Sequence, residues 1–354
     1  MVAGPPADPA PPRAVVCADL EGIAGVDDYE SCFPSWRRRY DRARELMEGE
    51  VNAVVAGLRD AGVEDIVVTD WHFAGINLRR DRVDAPVRGL WVHGQPTMSA
   101  TASDGTEIYG ERDLAIFVGM HGAAGSDAFM AHTFWQGLAC EVDGVAVNEA
   151  YLWSTMVGAV GARVGLVAGE AAAGRECQVL LPGVPVTTVK QSVSRDRAAT
   201  TRRVEDVREE LRQAAADAVG NTGPPMQAPV GREVRVTFQE ASWATRAARD
   251  GVGHLDGPRT IVTALDRADG LIPLLAACTL AMPGGRETQL YTRLARAPEY
   301  SALPPRLLRG LTACVHGVGW PLMRKGVRDT QRMDQSVYPA PPGDDATSRT
   351  SLTD

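Results

Sequence analysis

Short apolar runs alternate with longer amphipathic segments through the first half of the chain. Apolar runs of strand length occur at 14–18, 66–68, 114–118 and 164–169. Such runs are typical of buried parallel strands and are too short for helices. Between the first two runs, apolar side chains recur at helical spacing over about 35–59, and Gly62 ends the pattern. The alternation predicts an α/β fold with a mostly parallel sheet and flanking helices.

The second half of the chain predicts further elements of both kinds. A hairpin is expected at 140–147, turning at Asp143-Gly144, and a helix capped by Asn148 follows it. A charged helix over 200–219 is expected to be exposed to solvent. Beyond the breaker at 221–225, a strand, a helix, a strand and an apolar helix are predicted at 233–238, 241–249, 260–265 and 270–282.

Composition divides the chain into five predicted parts. They are a Pro-rich disordered leader (1–12), a main α/β domain (13–222), a smaller α+β domain (223–283), a helical C-terminal extension (284–330) and a disordered tail (331–354). A length of 354 residues agrees with two folded domains. We therefore expect a large buried core that needs no disulfide or structural metal.

Charge and cysteine usage exclude several classes of protein. The 37 basic and 45 acidic residues give a net charge of −8, which argues against a broad surface for nucleic acid or an anionic membrane. No apolar run approaches the ~20 residues of a membrane-spanning helix, and the N-terminus lacks the pattern of a secretory signal. The six cysteines are scattered without a C-x-x-C pair. A cytoplasmic protein is expected.

Acidic residues and histidines follow three of the predicted parallel strands. They are Asp19, Glu21, Asp70, His72 and His121. Because the carboxyl ends of parallel strands meet at one edge of a sheet, we expect these side chains to lie close together. Glu149, near the start of a helix, is placed to complete the cluster. Carboxylates and imidazoles are the ligands of zinc, manganese and related divalent metals, and this number suits two metals bridged by one carboxylate.

Each of these residues has an ordinary structural interpretation as well. A carboxylate at a strand end is commonly a solvated turn or a helix cap, and a histidine after an apolar strand is commonly a packed side chain. His132 lies between apolar neighbours, for which packing is the natural interpretation. The joint pattern over three strand ends favours a metal site, and spacing alone leaves both interpretations open.

The motifs as a set give a more specific indication. The segments Ala18-Asp19-Leu20-Glu21-Gly22, Thr69-Asp70-Trp71-His72, Gly119-Met120-His121-Gly122, Met130-Ala131-His132-Thr133 and Val147-Asn148-Glu149-Ala150 occur in that order. In order and spacing, the chain resembles the zinc-dependent D-aminopeptidase family of metallopeptidases over about 14–282. The resemblance implies a dinuclear zinc centre, two Zn²⁺ per subunit, a small peptide or amide substrate, and a homo-oligomer, with a decamer as one form.

The resemblance also implies roles for individual residues. Asp19 would bridge the two metals, Glu21 and His72 would complete one of them, and His121 and Glu149 would complete the other. His132 matches a histidine proposed as nucleophile or general base. Three more residues are expected to support ligands or contact substrate: Asp70 beside an imidazole, Asn148 where many members carry glycine, and Lys190 at a strand end.

The predicted function is therefore hydrolysis of peptide or amide bonds by a dinuclear zinc centre in the 13–222 domain. One alternative is a tailoring amidase, or an amide-forming enzyme, that uses the same metals. Another is a dinuclear phosphoesterase, which the absence of a G-x-x-x-x-G-K-[ST] loop disfavours. The last is a metal-binding assembly protein without catalysis.

Overall fold

Two β-sheets and six α-helices make up the described part of the molecule. The computed structural model describes residues 13–73, 75–88, 109–220, 225–283 and 333–343. The strands are β1 (Ala14–Ala18), β2 (Ile66–Asp70), β3 (Val87–Arg88), β4 (Leu114–Met120), β5 (Leu138–Val142), β6 (Val145–Ala146), β7 (Arg163–Glu170), β8 (Val186–Ser194), β9 (Arg197–Ala199), β10 (Glu233–Phe238), β11 (His254–Leu255) and β12 (Thr260–Ala264). The helices are α1 (Arg37–Asp60), α2 (Glu149–Gly158), α3 (Ala171–Leu180), α4 (Val204–Ala218), α5 (Ala241–Arg249) and α6 (Leu271–Leu280).

The larger sheet has the strand order β3-β2-β1-β4-β7-β8-β9. All its pairs are parallel except β8 with β9, so the predicted α/β fold with a mostly parallel sheet is confirmed. The central strand β1 is buried along its whole length and pairs with β2 on one side and β4 on the other. The residues that follow these three strands therefore leave the sheet side by side, at its carboxyl edge.

Side chains of β1 alternate between two hydrophobic cores, as the pleat of a strand requires. Val16 packs into the core beneath α1 and α4. Cys17 packs into the core that α2 and α3 share with the second sheet. The prediction that the 200–219 helix is exposed was wrong for one face of α4. Val207 and Leu211, spaced one turn apart, are fully buried there, because an amphipathic helix with charges on its outer face still needs an apolar partner.

The second sheet has the strand order β11-β12-β10-β5-β6. It confirms the predicted strands at 233–238 and 260–265, the second of which ends at Ala264. It also includes the hairpin β5–β6, which the sequence placed in the 13–222 domain. Residues of β5 pair antiparallel with β10, from Leu138 opposite Phe238 to Val142 opposite Val234. The boundary predicted near 222 therefore differs from the structure, because the chain contributes to the second sheet on both sides of that position.

The C-terminal part of the chain is described only over 333–343. This segment was predicted to be disordered, and that prediction was wrong here, because it packs against the body of the protein. Tyr338 is buried against Ala124 and Ala139, and the amide of Gly125 donates to the side chain of Gln335 (3.2 Å). The predicted leader (1–12) and helical extension (284–330) lie outside the described residues. No helix within the described ranges is long and apolar enough to cross a membrane.

The contact between α1 and α4 gives a test of the fold in which two effects have opposite signs. A Cβ built on Gly57 of α1 would lie 1.9 Å from the backbone oxygen of Arg212 in α4. Helix propensity alone predicts that Gly57→Ala stabilises the protein by about 1 kcal/mol. We expect instead a loss of about 1–3 kcal/mol, because the helices must separate. Urea unfolding measures the change.

Gly49→Ala in the same helix is the matched control. Its Cβ would meet only the end of the flexible Arg208 side chain, at 2.0 Å from Nη2, so a smaller loss is expected. A stabilising Gly57→Ala would contradict the close approach of the two helices.

Candidate metal and catalytic centre

The chain brings the ends of β1 and β4 together by direct backbone contact. The amide of Asp19 donates to the carbonyl of Val118 (2.8 Å), and the amide of Gly22 donates to the carbonyl of Gly119 (2.8 Å). Gly119 has a φ of 80°, and a Cβ on it would lie 2.1 Å from the carbonyl oxygen of Asp19. Only glycine fits this position. The loop after β1 and the residue after β4 are thereby held against each other.

The first group of candidate ligands consists of Asp19, Glu21 and His72. Nδ1 of His72 lies 2.7 Å from Oε2 of Glu21 and 3.4 Å from Oδ1 of Asp19. The other ring nitrogen, Nε2, lies 2.7 Å from the carbonyl oxygen of Cys32. Since a carbonyl only accepts, Nε2 carries the hydrogen and donates it. Nδ1 is then directed at the two carboxylates, which is how an imidazole is oriented toward a metal.

The second group of candidate ligands consists of Asp19, His121 and Glu149. Nε2 of His121 lies 3.6 Å from Oδ2 of Asp19 and 3.6 Å from Oε1 of Glu149. Nδ1 of His121 donates to the carbonyl of Gly122 (3.0 Å), so Nε2 is the ring nitrogen that faces the carboxylates. Asp19 thus presents Oδ1 to one histidine and Oδ2 to the other. The two groups share a single carboxylate.

The donor set fits a divalent cation. Nε2 of His121 is fully buried and has no hydrogen-bond partner among the described residues, which is costly unless a cation occupies the position that it faces. Burial alone would lower the pKa of His121, but Glu149 and Asp19 raise it to about 10. Burial and the neighbouring Glu21 carboxylate raise the pKa of Asp19 well above its usual range. Three buried carboxylates at this edge require positive charge, which a proton or a metal can supply.

His132 lies beside the second ligand group. Its ring stacks on that of His121 with centroids 4.2 Å apart, and its Nε2 is 3.4 Å from Oε1 of Glu149. Nδ1 donates to the carbonyl of Met130 (2.7 Å), which leaves Nε2 as the basic nitrogen. Burial and the adjacent His121 lower the pKa of His132. Unlike the ligands, its side chain keeps 14% of its surface exposed.

Backbone strain is concentrated around this centre. Phe73, Met130 and Phe134 are non-glycine residues with positive φ, at 50°, 56° and 65°. Each is next to a functional side chain or contacts one, since Phe73 follows His72 and the amide of Phe134 donates to Oε1 of Glu149 (2.8 Å). Such conformations are held only where the surroundings over-determine them.

Asp70 does not orient an imidazole directly. Its carboxylate accepts from the amides of Asn77 (2.6 Å) and Leu78 (2.9 Å) and from the side chain of Asn77. Nδ2 of Asn77 also donates to the carbonyl of His72 (2.7 Å). Asp70 therefore acts on the His72 segment through Asn77. The sequence predicted direct contact with the imidazole.

Lys190 is buried and holds the loop after β1. Its ammonium donates to the carbonyl oxygens of Glu21 and Val26 and lies 4.5 Å from the centroid of the Phe129 ring. The loop that contains Glu21 is thereby tied to β8. Its hydrogen bonds are with this loop, which favours the supporting role predicted for it over contact with substrate.

Asn148 and Glu176 form a buried support that sequence reasoning identified only in part. Asn148 caps α2 through the amide of Tyr151 (3.0 Å) and donates from Nδ2 to Glu176 (2.9 Å). Glu176 also accepts from the amide of Ala123 (3.1 Å). The pair links the start of the helix that carries Glu149 to the loop after His121. Burial raises the pKa of Glu176 to about 8.

A sequence signal for Glu176 existed. Within α3, the buried residues Ala172, Ala173, Glu176, Cys177 and Leu180 recur at helical spacing. An acidic residue on an otherwise apolar helix face indicates a buried carboxylate with a specific partner.

The fold and this cluster define an α/β protein with a candidate metal centre at the carboxyl edge of a parallel sheet. Residues 13–275 match the model of a protein family described as D-aminopeptidase. The chain therefore belongs to the D-aminopeptidase family, as its sequence motifs indicated.

Two individual relatives are similar to the chain. A D-aminopeptidase of Bacillus subtilis (strain 168) is 29% identical over 184 residues, which are 52% of this chain and 65% of the relative. The alignment thus spans just under two thirds of that relative's length. A solved structure, described as Zn-dependent D-aminopeptidase DppA from Bacillus subtilis, a self-compartmentalizing protease, superposes with a TM-score of 0.68 at 23% identity. The superposition covers 77% of this chain and 98% of the solved chain, which shows that the two share a fold.

The shared position of Asp19 predicts an unequal effect of ligand substitutions. We expect Asp19→Ala to weaken both metal positions, since one carboxylate faces both histidines, whereas His72→Ala weakens one position and leaves the other. Metal content per chain after equilibrium dialysis should fall from two toward zero in the first variant and toward one in the second.

Asp206→Asn, in the exposed first turn of α4, is the control for loss of an acidic group. Equal metal content in Asp19→Ala and His72→Ala would show that the two groups are not joined through Asp19.

Proposed function

We propose that this chain is a dinuclear zinc aminopeptidase that hydrolyses the peptide or amide bond after an N-terminal residue, with a preference for D-residues. The observation that carries the proposal is the Asp19 carboxylate, whose two oxygens face His72 and His121 in two adjoining ligand groups. Family membership supports the reaction class and the stereochemical preference. The name of the solved relative supports zinc as the metal.

Five side chains would hold the two metals, in the groups that the contacts define. They are Asp19, Glu21 and His72 for one metal and Asp19, His121 and Glu149 for the other. Two zinc ions bound there would supply Lewis acidity toward the scissile carbonyl and a nucleophile at neutral pH. The residues that surround them exclude bulk water, since all five ligand side chains are buried.

His132 is the group best placed to move a proton. Its Nδ1 is committed to the Met130 carbonyl, so Nε2 is free to accept or donate on the cluster side. Because burial and His121 lower its pKa, His132 is neutral near pH 7 and acts first as a base. Because its side chain is partly exposed, His132 can contact a substrate that enters from solvent, whereas the five ligand side chains are buried.

A homo-oligomer and a cytoplasmic location complete the proposal. The solved relative is described as self-compartmentalizing, which supports assembly of several copies, with a decamer as the expected form. The acidic net charge and the scattered free cysteines support a reducing compartment without nucleic-acid or membrane partners. Light scattering on the purified protein measures the number of subunits.

Substitution of His132 separates catalysis from metal binding. We expect His132→Ala to retain two metals per chain and to lower kcat by about 10²–10⁴-fold, the usual worth of a positioned acid–base group. His254→Ala, in the exposed strand β11, is the matched control and should leave kcat unchanged. Metal analysis and steady-state kinetics give both quantities, and full activity in His132→Ala would refute the role.

The reaction class is tested with a panel of substrates on zinc-loaded protein. The panel contains D- and L-aminoacyl amides, D- and L-dipeptides, larger acyl amides and a phosphate monoester. Cleavage of the D-aminoacyl compounds is the expected result. Turnover of larger acyl amides alone would indicate a tailoring amidase, turnover of the ester alone a phosphoesterase, and bound metal without any turnover an assembly protein.

A further inference from the structure

Strands β8 and β9 of the larger sheet form an antiparallel extension near His132. The strand β8 continues past the end of its parallel neighbour β7, whose last residue Glu170 is opposite Lys190. The next residues of β8 pair antiparallel with β9, and residues 191–199 form this extension, the β8–β9 arm. Residues 191–194 of β8 extend about 13 Å past the end of β7. Because β8 runs parallel to β1 and β4, the arm leaves the sheet at the edge that carries the candidate metal ligands.

The arm is fastened to the loop that carries His132. The amide of Phe129 donates to Oγ of Ser192 (2.6 Å), and the amide of Met130 donates to the carbonyl of Arg195 (3.0 Å). The carbonyl of the same Met130 accepts from Nδ1 of His132 (2.7 Å). Arg195 lies in the turn between β8 and β9. Its backbone is therefore connected to the imidazole of His132 through the hydrogen bonds of one residue, Met130.

Two of the three guanidinium nitrogens of Arg195 lack hydrogen-bond partners among the described residues, and the residue as a whole is half-buried. Nε and Nη1 are both buried and have no hydrogen-bond partner in the described structure. Burial lowers the pKa of Arg195, and the neighbours that act to raise it are Tyr29, Asp196, Asp127 and Tyr338. No described carboxylate lies within ion-pair distance of its guanidinium. A buried donor of positive charge without an acceptor leaves its desolvation uncompensated.

Two other described arginines have an unpartnered buried nitrogen, and their positions differ. Arg163 has one, begins β7 at the opposite edge of the sheet, and uses Nη2 to donate to the carbonyl of Val219 (3.3 Å). Arg208 has one, on α4. Burial raises the pKa of the nearby Glu50 to about 7, and the charge of Arg208 is one of the influences that oppose this rise. Arg195 has two such nitrogens and lies at the edge of the candidate centre.

We propose that Arg195 binds the free C-terminal carboxylate of a short peptide substrate. This proposal rests on the proposed function, which places the scissile bond at the ligand cluster beside His132. A guanidinium forms strong charge-assisted hydrogen bonds with a carboxylate. A peptide extends about 3.5 Å per residue, so the carboxylate of a di- or tripeptide would lie about 4–7 Å beyond the scissile bond. The arm is linked to His132 through Met130, which brings Arg195 to the neighbourhood of that bond. The arm would thereby select free di- and tripeptides over amides and long chains.

The test compares one dipeptide in two forms that differ only at the C-terminus. Zinc-loaded protein is assayed with D-alanyl-D-alanine and with its C-terminal amide. We expect Arg195→Gln to lower kcat/KM for the free acid by about 10- to 100-fold, because a charge-assisted pair is lost. For the amide, the change should stay below about threefold. Arg195→Lys keeps the positive charge but lacks the guanidinium. Its kcat/KM for the free acid should lie between those of the unsubstituted protein and of Arg195→Gln.

Arg197→Gln is the matched control for charge. Arg197 is exposed on β9 of the same arm, so both substrates should keep their kcat/KM. Metal content is measured in every variant. Equal losses on the acid and the amide in Arg195→Gln would overturn the proposal, because they would show that Arg195 only maintains the arm. An unchanged kcat/KM for the acid would overturn it as well.

A binding measurement separates this proposal from the proposed function. Calorimetry on zinc-loaded His132→Ala protein, with and without Arg195→Gln, compares the affinity for the acid and for the amide. A preference for the acid of about 10-fold or more that disappears with Arg195→Gln supports the proposal, even if the unsubstituted protein cleaves neither compound. Equal affinities for the two forms would refute it, whatever the result of the substrate panel.

Discussion

The sharing of the Asp19 carboxylate between two imidazoles is the interaction on which the rest of the centre depends. Asp19 follows the central strand β1, and the strands on either side of β1 end in the residues that lead to His72 and His121. Parallel pairing on both sides of one strand is what gives each oxygen of one carboxylate its own histidine. Buried carboxylates of this density require cations, so the same arrangement that builds the site also determines what it binds.

The centre is kept in place by polar groups that have no part in ligation. The carbonyl of Cys32 fixes the ring of His72, and that of Gly122 fixes the ring of His121. Glu176 ties the loop after His121 to the helix that begins with Glu149. Each of these contacts restricts the orientation of a candidate ligand. Such restriction fixes the geometry of a metal site and raises its affinity. The β8–β9 arm supports His132 in the same way, through the backbone of Met130.

Much of the fold could be predicted because local pattern and tertiary environment agree. The fully buried strands β1 and β4 are continuous apolar runs, and the end of α1 coincides with Gly62 within two residues. Three features could not be predicted, because they depend on partners far away in sequence. The hairpin β5–β6 joins the second sheet through β10, one face of α4 is buried by α1, and Tyr338 orders a segment whose composition is typical of disorder.

The sequence alone determined the α/β class and predicted that the acidic and histidine side chains meet, because strand-end residues of a parallel sheet lie at one edge whatever the details of packing. Its motifs indicated the family, and the resemblance to that family selected five of these side chains as candidate ligands. Only the tertiary structure decided which oxygen of Asp19 faces which histidine and that Asp70 acts through Asn77. It also decided that two nitrogens of the Arg195 guanidinium are buried without an acceptor among the described residues. These facts depend on distances between side chains from separate segments, and no local pattern of polarity encodes such distances.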